Sequence, residues 1–96
     1  MDVVVTYDIE TQTQRGVRRL AHVAAICERY GERAQYSVFE CRLSDVQLTR
    51  LVAELADEID PRKDSIHIYR LADNIDTACK RIGRLRTHNV GRPWIL

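Results

Sequence analysis

Val3-Val4-Val5-Thr6-Tyr7-Asp8 joins five residues that favour extended backbone to a carboxylate. The run is apolar on both faces until Tyr7, as in a central, well-covered strand, and it reads as the first strand. Downstream, the spacing predicts a helix from about Gln14 to Tyr30. Val17, Leu20, Ala21, Ala24 and Cys27 fall on one side of a 3.6-residue period, and Gly31 stands where a C′ residue is expected. Arg15, Arg18, Arg19 and His22 share the opposite face, which is either a solvated helix face or a basic stripe that opens near Asp8.

Arg33 to Leu43 reads as extended chain, a bent strand or two very short ones, with Gln35, Ser37 and Glu40 interleaved among Tyr36, Val38, Phe39 and Cys41. Ser44-Asp45-Val46-Gln47 fits a capping box with Ser44 as N-cap and Gln47 at N3, and Leu43 and Leu48 occupy the staple positions. The helix that starts there buries Leu48, Leu51, Val52, Leu55 and Ile59, turns Glu54, Asp57 and Glu58 to water, and stops at Asp60-Pro61. Ser65 to Leu71 alternates as a strand, with Ile66 and Ile68 on one side and His67 and Tyr69 on the other. The order β-α-β(β)-α-β packs most economically as an α+β fold, an antiparallel sheet with both helices on one face, the ferredoxin-like β-α-β-β-α-β arrangement. Residues 72–91 carry one hint of a helical turn, Ile75, Cys79 and Ile82, weakened by Gly83. Pro93-Trp94-Ile95-Leu96 is apolar bulk that so small a core cannot easily absorb. It is expected either to pair as a strand with a sheet edge, its own or another subunit's, or to fold back on its own domain.

At 96 residues the chain is read as a single domain, 1–96, with 72–96 as a C-terminal extension. Its 45% hydrophobic and 30% charged residues argue against disorder, and a net charge of +1 gives no global pull toward nucleic acid. The charge is unevenly placed, however. No acid follows Asp76, while Lys80, Arg81, Arg84, Arg86 and Arg92 do; such a run is a solvated tail or a contact for DNA or a protein partner. Cys27, Cys41 and Cys79 are odd in number and lack a Cys-x-x-Cys pair, which points to reduced thiols rather than a disulfide framework or zinc. No apolar stretch approaches the ~18 residues of a membrane span and no basic leader opens the chain, so no membrane association and a cytoplasmic location are expected.

Asp8 is the residue that asks for chemistry. Asp is disfavoured in strand interiors, and Arg in the first turn of a helix opposes the macrodipole. One carboxylate holds Mg²⁺ loosely, because the ion wants octahedral oxygen ligands and keeps waters. If the ends of two first strands met at a two-fold axis, paired Asp8 carboxylates would repel unless a cation lay between them. That pair would form a Mg²⁺ site, with Mn²⁺ as a substitute, suited to phosphodiester hydrolysis, and nearby arginines would hold phosphates. Other chemistries lack support. His22, His67 and His88 have no metal-ligand spacing, Ser37 and Ser44 no nucleophile-elbow context, and the chain has neither Gly-x-Gly-x-x-Gly nor a phosphate loop.

Val5-Thr6-Tyr7-Asp8-Ile9, Arg18-Arg19-Leu20 and above all Tyr30-Gly31-Glu32-Arg33-Ala34-Gln35-Tyr36-Ser37-Val38-Phe39-Glu40-Cys41 closely resemble the CRISPR-associated protein 2 family. The resemblance runs in order through residues 3 to 71, and Gly91 to Leu96 looks like the variant that accompanies type I-C systems. It implies a ferredoxin-like homodimer whose C-terminal strand packs on the partner protomer. It also implies a metal-dependent endonuclease on double-stranded DNA or single-stranded RNA, with Asp8 as catalytic and metal residue. Finally, it implies a partnership with CRISPR-associated protein 1, the integrase, during spacer acquisition.

Two functions follow from it. In one, a Mg²⁺-dependent phosphodiesterase, Arg15, Arg18, Arg19 and Arg33 engage phosphates while Tyr7, Ser37 and Phe39 shape the site. In the other, a structural adaptor, the arginines hold DNA and Trp94, Ile95 and Leu96 or a neighbouring edge docks a partner. Phe39 is equally a core candidate, and Arg33 a partner for Glu32 or Glu40. An RNA-cleaving toxin of similar fold is a third reading, against which Ser37-Val38-Phe39-Glu40 argues.

Overall fold

A computed structural model describes residues 1–83; Arg84, Arg86, Arg92 and the proposed docking strand Pro93–Leu96 lie outside the described residues. The elements run β1 (Asp2–Asp8), α1 (Gln14–Tyr30), β2 (Gly31–Gln35), β3 (Val38–Arg42), α2 (Asp45–Glu58), β4 (Ser65–Arg70) and a one-turn α3 (Ile75–Ala78). The four strands form one sheet in the order β2-β3-β1-β4, all neighbours antiparallel. This is the ferredoxin-like arrangement expected from the order of elements.

Period-two alternation sends Val3, Val5 and Tyr7 of β1 and Phe39 and Cys41 of β3 to the helices. There they meet Val23, Cys27, Leu51 and Leu55 in a single core. Residues 33–43 resolve into a β2–β3 hairpin around Tyr36-Ser37, with a register irregularity between Arg33 and Gln35. Ser44 caps α2 as expected: its hydroxyl accepts from Gln47 N, and the Gln47 side chain accepts from Ser44 N.

Four expectations are corrected by packing. Val17 is 51% exposed and Ala21 is exposed, because α1 turns Gly16, Leu20, Val23, Cys27 and Tyr30 inward instead. The cause is Gly16, where a Cβ would stand 1.9 Å from the Glu10 carbonyl oxygen; only a bare α-carbon lets the helix approach the β1–α1 loop so closely. Gly31 is not a left-handed cap. It is extended and already in β2, and a side chain there would strike the Glu40 carbonyl across the hairpin.

On α2, Val52 is 46% exposed, since Leu48, Leu51 and Leu55 fill the stripe. Glu54 and Glu58 do not simply face water. Glu54 meets Arg29 and the Tyr30 hydroxyl, and Glu58 lies 2.5 Å from His22 Nδ1, joining α2 to α1.

The sheet's other face is covered in part by the chain that follows β4. Asp2 receives hydrogen bonds from Ile75 N (2.8 Å) and Arg42 Nε (2.9 Å), and Arg81 pairs with Glu40 at 2.6 Å. Residues 71–82 thereby border a cavity of about 600 Å³ against Val4, Val38 and Glu40. This contact accounts for a first strand that is apolar on both faces.

Candidate functional site

Asp8 ends β1 opposite Ser65, exposed on the sheet face away from the helices. Its carboxylate has no hydrogen-bond or ion-pair partner among the described residues. Beside it a groove of about 510 Å³ runs between the start of α1 and the β2–β3 turn. Val17, Leu20, Ala21 and Ala24 form one wall; Tyr7, Arg33, Tyr36 and Ser37 form the other. Val17 and Ala21, left out of the core, are therefore the apolar wall of the groove next to Asp8.

The groove's floor is built from the core. Tyr7 is stacked 6.2 Å from the fully buried Phe39, and Tyr7 N donates to the Ser37 carbonyl at 3.1 Å, which fixes the turn against β1. Burial pushes the Tyr7 hydroxyl up from its ordinary pKa, and the nearby Arg33 charge opposes that rise. Arg33 lies 5.1 Å over the Phe39 ring and 3.4 Å from Glu28, so its anionic neighbour is on α1 rather than Glu40. Its Nε is buried without a hydrogen-bond partner among the described residues. Phe39 itself is fully buried in the core, packed under Tyr7 and Arg33, and does not line the groove.

The arginines of α1 divide into two kinds. Arg15 and Arg18 are exposed and carry no ion pair among the described residues. Arg19 is engaged inward: Nε donates to Asp64 Oδ2 at 2.7 Å, and Nη2 reaches Asp64 Oδ1 at 3.3 Å and Glu10 Oε2 at 3.5 Å. Asp64 also accepts from Glu10 N at 3.0 Å and Asp60 N at 2.9 Å, and its side chain is fully buried. Burial disfavours the Asp64 charge, but Arg19 and the two backbone donors outweigh it and hold the carboxyl below the usual carboxylate range. Glu10 behaves alike, with burial overcome by hydrogen bonds from the Thr13 hydroxyl and from backbone. In sequence Asp64 is no more than the residue before the strand that opens at Ser65. The partners that bind it to the rest of the fold, Arg19 and Glu10, are 45 and 54 residues away, so nothing local marks that role.

Asp8 and Arg33 are the charged residues that line the groove, while Arg15 and Arg18 are exposed on α1 outside its lining. An exposed carboxylate without a competing cation suits a hard divalent ion that takes one or two carboxylates and keeps waters. Each chain brings one such group, and no cluster of three His, Cys, Asp or Glu side chains converges among the described residues. No described helix is long and apolar enough to cross a membrane.

Comparison with known proteins gives a consistent result. The family model described as CRISPR associated protein Cas2 matches residues 1–78. The CRISPR-associated endonuclease Cas2 of Halalkalibacterium halodurans is 48% identical over 99% of both chains. The CRISPR-associated endoribonuclease Cas2 of Chlorobaculum tepidum is 46% identical over 77% of both. The crystal structure of Streptococcus pyogenes Cas2 at pH 6.5 superposes with a TM-score of 0.78 at 41% identity, covering 86% of this chain and all of that one.

Proposed function

The chain belongs to the Cas2 family of CRISPR-associated proteins, and from that premise we propose that it serves CRISPR adaptation as a homodimer that holds duplex DNA for the integrase. We further propose that the two Asp8 residues of the dimer form a metal-dependent phosphodiesterase site. The observation that carries this reading is Asp8 itself, an exposed carboxylate without a partner among the described residues, on the rim of a groove whose other wall belongs to α1, the helix that carries the exposed Arg15 and Arg18. Relatives named endonuclease and endoribonuclease support the chemistry and leave the nucleic acid open between DNA and RNA.

In this reading Arg15 and Arg18 bind phosphate oxygens and fix the register of the duplex without reading bases. Arg33 adds positive charge at the groove, Tyr7 and Ser37 set its shape, and the Asp8 pair would hold Mg²⁺ or Mn²⁺. When bound, the ion supplies charge neutralisation at the scissile phosphodiester. Arg19 acts by holding the β1–α1 loop in place.

A purely structural adaptor is the second reading. It is favoured by the single carboxylate that each chain brings to the site, with no cluster of three His, Cys, Asp or Glu side chains converging among the described residues. Integration of spacers into a repeat-bearing plasmid, with the cognate integrase and this protein as wild type, as Asp8→Asn or omitted, separates the two. A requirement for the protein but not for the Asp8 carboxylate identifies an adaptor. Loss of integration by a folded, dimeric Asp8→Asn protein makes the metal site part of the mechanism. Loss of Mg²⁺-dependent cleavage alone makes the nuclease a separate activity.

A further inference from the structure

We infer that Arg62 and Lys63, on the turn between α2 and β4, form a second phosphodiester contact that works with Arg15 and Arg18 around the Asp8 end of the sheet. This inference rests on the proposed hold on nucleic acid and names where that hold continues. Ser65 is the register partner of Asp8, so the turn that delivers Ser65 ends beside that carboxylate. α2 runs back toward the start of α1, as the contact of Glu58 with His22 shows, and Asp60 follows immediately. Three elements therefore converge at one end of the molecule.

The turn is rigid. Arg62 N donates to Asp60 Oδ1 at 3.0 Å, while Lys63 N and Asp64 N donate to the Asp60 carbonyl at 3.0 and 2.8 Å. Asp64 then fastens the turn to the Glu10 amide and to Arg19 of α1. The acids of the turn and of the loop it is fastened to are engaged: Asp64 by Arg19 and backbone, Asp60 by the turn, and Glu10 by Thr13 and Arg19. Arg62 and Lys63 are exposed, and neither side chain has an ion pair or hydrogen bond among the described residues, although the Lys63 charge acts on Glu10. The result is two pairs of cations on two elements bolted together, with Asp8 at the same end. Fixed, separated cations suit a polyanion that offers several phosphates at once.

The test is fluorescence anisotropy of the full chain with a labelled duplex DNA and with a single-stranded RNA, each across a salt series. Arg62→Gln combined with Lys63→Gln is expected to weaken binding about tenfold and to reduce the steepness of the salt dependence by about 2, one for each lost phosphate contact. The exchange Arg62→Lys with Lys63→Arg, which keeps both charges, is expected to bind like wild type, and Arg70→Gln at the opposite end of the sheet is expected to change neither quantity. A loss with either nucleic acid supports the contact and assigns it to that backbone. Unchanged affinity and salt slope in the double Gln variant, while Arg15→Gln with Arg18→Gln loses binding, overturns this inference and leaves the proposed function standing. Failure of the wild type to bind either nucleic acid overturns both.

Discussion

Asp64→Asn is a change of one atom, and the structure says it is costly. The four donors on Asp64 are divided evenly: Oδ1 takes Glu10 N and Arg19 Nη2, and Oδ2 takes Asp60 N and Arg19 Nε. Whichever way the amide is turned, its NH₂ group faces two donors, one backbone and one guanidinium. Leaving those donors unmet costs about 3 kcal/mol, from roughly 1–3 kcal/mol for each unsatisfied buried group. For a domain of this size, that lowers the melting temperature on the order of 15 °C. Thermal and urea unfolding at pH 7 measure it.

Acid gives the same experiment a second readout. The folded pKa of Asp64 lies below its ordinary value, so its stabilisation is fully present above about pH 4 and is lost as pH falls through the folded pKa. The gap between wild type and Asp64→Asn should therefore close below about pH 4. A variant within ~1 kcal/mol of wild type at pH 7, or a gap indifferent to acid, would refute the view that this carboxylate locks the loop.

Three further outcomes follow from the packing. Asp8→Asn should leave urea stability within about 0.5 kcal/mol of wild type, because the carboxylate is exposed and without a partner among the described residues, so a loss of cleavage can be read as chemistry. Leu51→Ala should cost about 2–5 kcal/mol in the same assay, since the side chain is fully buried between helix and sheet. In thiol titration of the native protein at pH 8, Cys79 should react first and Cys27 and Cys41 only on unfolding, because burial pushes their thiols up to about 12 and about 11. Equal rates for all three would contradict the burial.

The fold was readable where local chemistry decides it. The β-branched run at Val3 to Thr6, the capping box at Ser44 and the alternation through Ile66 to Tyr69 each specify an element within a few residues, and their order leaves few topologies. The rotation of α1 was not readable, because it follows from contact between Gly16 and Glu10 rather than from hydrophobic spacing. At the site, Asp8 stood out because an acid ending an apolar strand is locally out of place. Arg19 looked like its neighbours in sequence, and Phe39 was open between core and site. Arg19 is distinguished from Arg15 and Arg18 by Asp64, a residue 45 positions away. Arg62 and Lys63 carry no local signal for the same reason: only the pairing of Ser65 with Asp8 brings their turn to that end of the sheet.

Gly16 carries a consequence for how sequences of this kind can drift. A methyl group there must displace the Glu10 carbonyl from 1.9 Å to ordinary contact, and Glu10 is joined through its amide to Asp64 and through its carboxylate to Thr13 and Arg19. An alanine at position 16 would improve helix propensity by nearly 1 kcal/mol and still displace the Glu10 loop to which the Asp60–Asp64 turn is fastened. A homologue could keep every arginine and Asp8 and lose their mutual placement through this uncharged position. Tolerance to substitution in this region is therefore set by a residue without a side chain, which a search for charged or catalytic side chains would pass over.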